Sequence, residues 1–80
     1  MSFSAIRFDA TAVAVSIDAH LLHVALADGR ELAAPLEWFP RLRDATPAQR
    51  EHWRFIGRGN GIHWPEVDED ISVESLLRLA

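Results

Sequence analysis

Through the first half of the chain, apolar residues recur at every second position. Val13, Val15 and Ile17 alternate with Ala14 and Ser16, Leu22, Val24 and Leu26 alternate with His23 and Ala25, and Leu32 and Ala34 flank Ala33. A period of two belongs to a half-buried β-strand. Asp18-Ala19-His20 and Ala27-Asp28-Gly29 separate the three runs with turn-forming residues. Parity then sets the register. A two-residue loop at Asp28-Gly29 would place Leu26 opposite Glu31 and split the apolar sets between faces. A three-residue loop, Ala27-Asp28-Gly29, pairs Val24 with Leu32 and Leu22 with Ala34, with Gly29 as the left-handed residue of a type I turn plus bulge. A one-residue slip would turn every side chain over, so the second register is preferred. The earlier turn should pair Ile17 with Leu22.

This meander has one apolar face: Val13, Val15, Ile17, Leu22, Val24, Leu26, Leu32 and Ala34. Its other face carries Ala12, Ala14, Ser16, His23, Ala25 and Ala33, where a solvated sheet would show polar residues. Small side chains let another backbone approach closely. Either a terminal segment containing Phe3, Ile6 and Phe8 covers this face, or a second chain does.

The second half reads as short helices and loops. Pro35 to Leu42 leaves the sheet and predicts a short helix, with Pro40 tolerable only in its first turn. Thr46-Pro47-Ala48-Gln49 is a capping box with Pro at the first helical position. Ala45, Ala48, Gln49, His52, Trp53 and Ile56 follow helical spacing, with Gly57 suited to the residue beyond the end. Ile62-His63-Trp64 predicts a short strand ended by Pro65. Ser72 should cap a last helix whose apolar side is Val73, Leu76, Leu77 and Leu79, with Ile71 and Leu76 forming a hydrophobic staple. The result is an α+β fold: a small antiparallel β-meander with two or three short helices packed on it, in a single domain over residues 1–80.

Composition narrows the function classes. A domain of 80 residues buries only about 60% of its unfolded surface, so a hydrophobic fraction of 49% predicts apolar surface left for a partner. The net charge of −4 disfavours direct nucleic-acid binding, which rests on neutralising phosphates. There is no cysteine, which excludes a disulfide framework, a thiolate metal site and a Cys nucleophile. No apolar run approaches a membrane span and no signal-peptide core is visible, so the simplest location is the cytoplasm.

Few constellations suggest chemistry. The four histidines have no ligand spacing, and His63, between Ile62 and Trp64, reads as a hydrogen-bonded packing residue. Gly57-Arg58-Gly59-Asn60-Gly61 looks like a phosphate loop, but it is expected after a helix and before a strand, the reverse of a dinucleotide site. Its glycines suit a left-handed turn. Asp68-Glu69-Asp70 precede the last helix, where carboxylates meet the positive end of the dipole. They could also serve as an acidic patch for a partner or, less naturally for adjacent residues, hold a hard cation. Trp38, beside Phe39 and Arg41, is the best exposed aromatic candidate, because Trp and Arg dominate interface hot spots.

Taken in order, these pieces resemble a known family. Asp28-Gly29-Arg30, Pro35-Leu36 with Trp38-Phe39-Pro40-Arg41-Leu42, Ala45-Thr46-Pro47 with Arg50, and Gly61-Ile62-His63-Trp64-Pro65 with Asp68-Glu69-Asp70-Ile71-Ser72-Val73 and Leu76-Leu77 are similar to the bacterial domain of unknown function 2442. The resemblance runs from Ile6 to Leu79. It implies a small α+β domain and carries no established activity, cofactor or catalytic residue. It also implies two contexts: fusion to a helix-turn-helix domain, or pairing with a second small protein in toxin–antitoxin-like sets. No helix-turn-helix stretch is visible here, so DNA reading in cis is not expected.

These readings converge on a cytoplasmic, non-enzymatic protein-interaction module of antitoxin-like or regulatory accessory type. It would use no cofactor, and its partner would be a companion small protein or a second copy. The candidate interaction residues are Trp38, Arg41, Asp68, Glu69 and Asp70. The alternative is a small-ligand- or metal-dependent enzyme using His63, Asp68, Glu69 and Asp70. An enzyme needs a cleft with convergent polar groups, whereas an interaction module needs apolar surface.

Overall fold

The first three strands follow the parity argument. In the computed structural model, which describes residues 6–79, β1 (Ala12–Ile17), β2 (Leu21–Leu26) and β3 (Glu31–Pro35) form an antiparallel sheet in the order β1-β2-β3. Ile17 pairs with Leu22, Leu22 with Ala34 and Val24 with Leu32. The three-residue loop is present, with Gly29 at φ +94° and its N–H donating to the Leu26 carbonyl at 3.0 Å.

One expectation fails at the start of β1. Ala12 pairs with Leu26 but Ala14 pairs with Ala25, so Val13 is the extra residue of a β-bulge. The bulge puts Ala12 in the core and turns Val13 outward, 56% exposed, the reverse of the simple alternation. The cause lies elsewhere in the chain. The Ala12 N–H donates to the Gly59 carbonyl at 2.7 Å, so the backbone at Ala12 is held by a turn of the second half.

That turn belongs to a second antiparallel sheet, β4 (Arg54–Ile56), β5 (Gly61–Trp64) and β6 (Glu69–Ser72), in the order β4-β5-β6. Only β5 was expected. The helix predicted to reach Ile56 is α2 (Pro47–Glu51), and it stops at Glu51. Beyond it, Trp53 and Phe55 take up strand alternation, and Phe55 pairs with Ile62. The helical pattern over 47–56 was too short to hold a helix by itself, and pairing with β5 decides the conformation. Likewise Glu69 and Asp70, expected in a loop, are strand residues opposite Trp64 and His63. Acidic side chains on an edge strand discourage further pairing.

The connecting helices follow their local chemistry. Leu36–Trp38 forms a 3-10 turn and Pro40–Arg43 forms α1. The break falls at Phe39, whose φ of −128° and ψ of 77° lie outside the helical region, the region disfavoured for a residue before proline. The Thr46–Gln49 capping box opens α2. Ser72 caps α3 (Val73–Leu79), accepting from the Ser75 N–H at 3.0 Å, and Ile71 and Leu76 are both buried.

A single hydrophobic core joins these parts. The first sheet contributes Leu22, Val24, Leu26 and Ala34. The second contributes Ile62, Trp64 and Ile71, and the helical segments add Leu36, Leu42, Val73 and Leu76. Trp64 is fully buried, and its indole N–H donates to the Arg50 carbonyl at 3.0 Å, tying α2 to the second sheet. Arg50 in turn donates to the carbonyls of Leu42 at 2.9 Å and Arg43 at 2.6 Å, satisfying the open end of α1.

Candidate functional site

The residues singled out in sequence are dispersed by the fold. Trp38, in the 3-10 turn, is 46% exposed. Arg41, three residues on in α1, donates from Nη1 to the Asp68 carbonyl at 2.6 Å, so those two are brought together. Asp68 has φ +52°, the one non-glycine residue with positive φ among those described. Arg41 holds its carbonyl in that turn.

Glu69 and Asp70 are adjacent on a strand, so their side chains leave on opposite faces. Asp70 Oδ1 meets His63 Nδ1 as a cross-strand pair. His63 is therefore hydrogen-bonded, as its sequence setting implied. Among the described residues, no three of His, Asp or Glu gather in the manner of a metal site.

Surface hollows lie elsewhere. One, of about 370 Å3, sits on the outer face of the first sheet, lined by Ala14, Val15, Ser16, His23, Val24, Ala25 and Glu31. Register explains its shape. Ala14, Ala25 and Glu31 form one row across the three strands, and Ser16, His23 and Ala33 form the next. Methyl side chains on neighbouring strands leave a shallow depression rimmed by His23 and Glu31. A second hollow, of about 410 Å3, runs between the β1–β2 turn and α2, lined in part by Val15, Ile17, Pro47, Arg50 and Trp53.

The outer face is open among the described residues. Ala14, Ser16 and Ala33 are exposed. The expectation that the chain's own N-terminal segment covers them is not met by its described part, since Ile6 is 73% and Phe8 76% exposed. Phe3 lies outside the described residues. The segment is instead anchored at the far end of the β2–β3 turn. The Asp9 N–H donates to Asp28 Oδ2 at 2.9 Å, and the Arg30 guanidinium lies 5.6 Å from the Phe8 ring centre.

Electrostatics at the two ends of this sheet have clear causes. The Asp18 carboxylate accepts from His23 Nε2 at 2.7 Å and from the His20 and Leu21 N–H groups, each at 2.8 Å. The His23 bond, followed by those backbone bonds, holds its pKa well below the usual carboxylate range. At the other end, Asp28 accepts from the Arg30 side chain at 2.7 Å and from the Asp9 and Arg30 N–H groups. The Arg30 bond chiefly depresses the Asp28 pKa in the same direction.

Comparison with known proteins agrees with this architecture. A family model described as "Protein of unknown function (DUF2442)" matches residues 12–80. The chain belongs to the DUF2442 family. A crystal structure of a protein of unknown function from Rhodospirillum rubrum is similar to this DUF2442 chain at 27% identity, with a TM-score of 0.72 over 85% of this chain and 84% of that one. No curated protein matches it. No helix among the described residues is long and apolar enough to cross a membrane.

Sequence reasoning missed the hollow itself. Its signal was present in the alternating Ala14, Ser16, Ala25 and Ala33. The place of Glu31 at the end of the Ala14–Ala25 row follows from the register that pairs Val24 with Leu32, but the bulge at Val13 was not legible, because it depends on contact outside the strand.

Proposed function

We propose that this DUF2442 chain is a cytoplasmic, non-enzymatic protein-interaction module of regulatory or antitoxin-like accessory type, and that it docks through the outer face of its first sheet. The observation that supports this reading is the row Ala14–Ala25 with its neighbours Ser16 and Ala33, open among the described residues with Ala25 half-buried. Val13, turned out by the bulge, adds a large apolar side chain at the start of the same strand. A sheet face of small apolar residues gains little from water and accepts a close backbone, and extended apolar patches on soluble proteins mark interaction sites. Trp38 and Arg41 remain candidates for a secondary contact.

The enzyme alternative has less to support it. His63 and Asp70 are occupied with each other, Glu69 leaves on the opposite side of its strand, and neither hollow is lined by these residues.

The test is a charge placed on the face. Ala14→Glu should leave the circular dichroism spectrum close to wild type, because Ala14 is exposed. It should abolish either self-association, read by light scattering, or retention of a stoichiometric partner protein in quantitative co-purification. An Ala14→Glu chain with the same mass in solution and the same bound proteins as wild type would end the proposal.

A further inference from the structure

We infer that the occupant of the outer face is the N-terminal segment Ile6-Arg7-Phe8 of a second copy of this chain, the two copies exchanging these segments about a two-fold axis. The inference rests on the reading of that face as an interface and names its partner. Two surfaces lack cover among the described residues, and they complement one another. Ile6 and Phe8 are the two most exposed large apolar residues described, at 73% and 76%. Their spacing of two puts both side chains on one side of an extended segment. The sheet face offers the reverse shape, a hollow of about 370 Å3 floored by Ala14 and Ala25.

Charge complementarity supports the pairing. Arg7 lies between the two apolar residues, and Glu31 lies at the end of the Ala14–Ala25 row. Glu31 has no ion-pair partner within the chain among the described residues. In an extended segment Arg7 leaves on the side opposite Ile6 and Phe8, so with those two in the hollow its long side chain folds back over the sheet edge to reach Glu31, which lies on the edge strand β3.

The anchoring of the segment argues for exchange and against closure on its own sheet. The Asp9 N–H is bound to Asp28 and the Asp9 carbonyl accepts from the Asp28 N–H at 3.3 Å. The Asp9 carboxylate also accepts from the Thr11 hydroxyl at 2.7 Å. These bonds hold the chain at the edge of the β2–β3 turn, with the preceding residues standing clear of the sheet. With Asp9 so fixed, Ile6 and Phe8 stay exposed and off their own sheet face, and a second copy can present its face to the segment as it stands. Exchange of one element between identical chains closes a two-fold dimer with two equal contacts and leaves no open end.

The experiment is sedimentation equilibrium of the full chain with matched variants. Wild type should be a dimer. Ile6→Ser with Phe8→Ser should raise the dissociation constant about tenfold or more, the loss expected when anchor side chains are removed, with an unchanged circular dichroism spectrum. Arg7→Glu should weaken the dimer, and Arg7→Glu combined with Glu31→Arg should restore it, as a pair in contact requires. Mixing the Ile6→Ser/Phe8→Ser chain, which keeps its face, with the Ala14→Glu chain, which keeps its segment, should yield a heterodimer.

A dimer that resists the Ile6/Phe8 change but is dissociated by Ala14→Glu would overturn this inference and leave the face as an interface of another kind. A wild-type chain that stays monomeric would overturn it as well, while a partner protein lost from Ala14→Glu would still uphold the broader reading. Failure of both Ala14→Glu measurements would remove the interface altogether.

Discussion

At the scale of single residues, two glycines do different work. Gly29 has φ +94° and open space where a side chain would project. Gly29→Val should therefore cost about 1–2 kcal/mol, the strain of a left-handed β-branched residue. Gly59 has φ +93°, and an added Cβ would lie 2.5 Å from the Ala12 carbonyl oxygen. Gly59→Ala meets strain and backbone overlap together, so it should destabilise by more than Gly29→Val in urea titrations. If the two variants unfold at the same urea concentration, the close approach of Gly59 to Ala12 is not as described.

Asp18 and Asp28 make a second residue-scale prediction. Their folded pKa values lie below that of a free aspartate, about 3.9. The unfolded chain then binds more protons in acid than the folded chain does. The contribution of these carboxylates is complete above the unfolded pKa and is lost as the pH falls through the folded values. Melting temperature should fall on acidification below about pH 4. Asp28→Asn should lower stability at neutral pH and flatten that acid decline, and an equally steep decline in the variant would show that Asp28 is not responsible.

At the scale of elements, short helices owe their existence to their ends. The five-residue α2 has no buried residue of its own, and its start is fixed by Thr46 and Gln49. Removing the cap by Thr46→Ala should cost about 1 kcal/mol in thermal or urea unfolding. No loss on Thr46→Ala would mean that the Trp64–Arg50 bond alone holds the segment. The cap was legible because its chemistry lies within four consecutive residues. The end of α2 was not, because His52, Trp53 and Ile56 fit helical spacing, and only pairing of Phe55 with Ile62 makes the stretch a strand.

At the scale of the whole molecule, the two sheets share one core. Ile62 is fully buried in the middle strand of the second sheet, between Phe55 and Ile71 in register. Ile62→Ala should cost roughly 2–5 kcal/mol through lost burial and the cavity left behind. The loss should appear as one cooperative transition, with tryptophan fluorescence and circular dichroism coincident. Two separate transitions would show that the sheets unfold independently, contrary to a shared core.

By itself, the amino-acid sequence determined whatever depends on neighbours in the chain. Alternation defined the three strands of the first sheet, loop parity set their register, and capping residues started α2 and α3. The alanine-rich face was also visible, since small residues at every second position need no tertiary contact to be recognised. Tertiary structure alone decided the bulge at Val13, the strands β4 and β6, and the dispersal of Glu69 and Asp70 to opposite sides. Each of these turns on contact with another segment: Ala12 bonds to Gly59, Phe55 pairs with Ile62, and His63 bonds to Asp70 on the neighbouring strand. Local propensities differ by about 1 kcal/mol per residue or less for ordinary side chains. Strand pairing and burial in a common core outweigh them, so a segment with ambiguous local preference takes the conformation its partner requires.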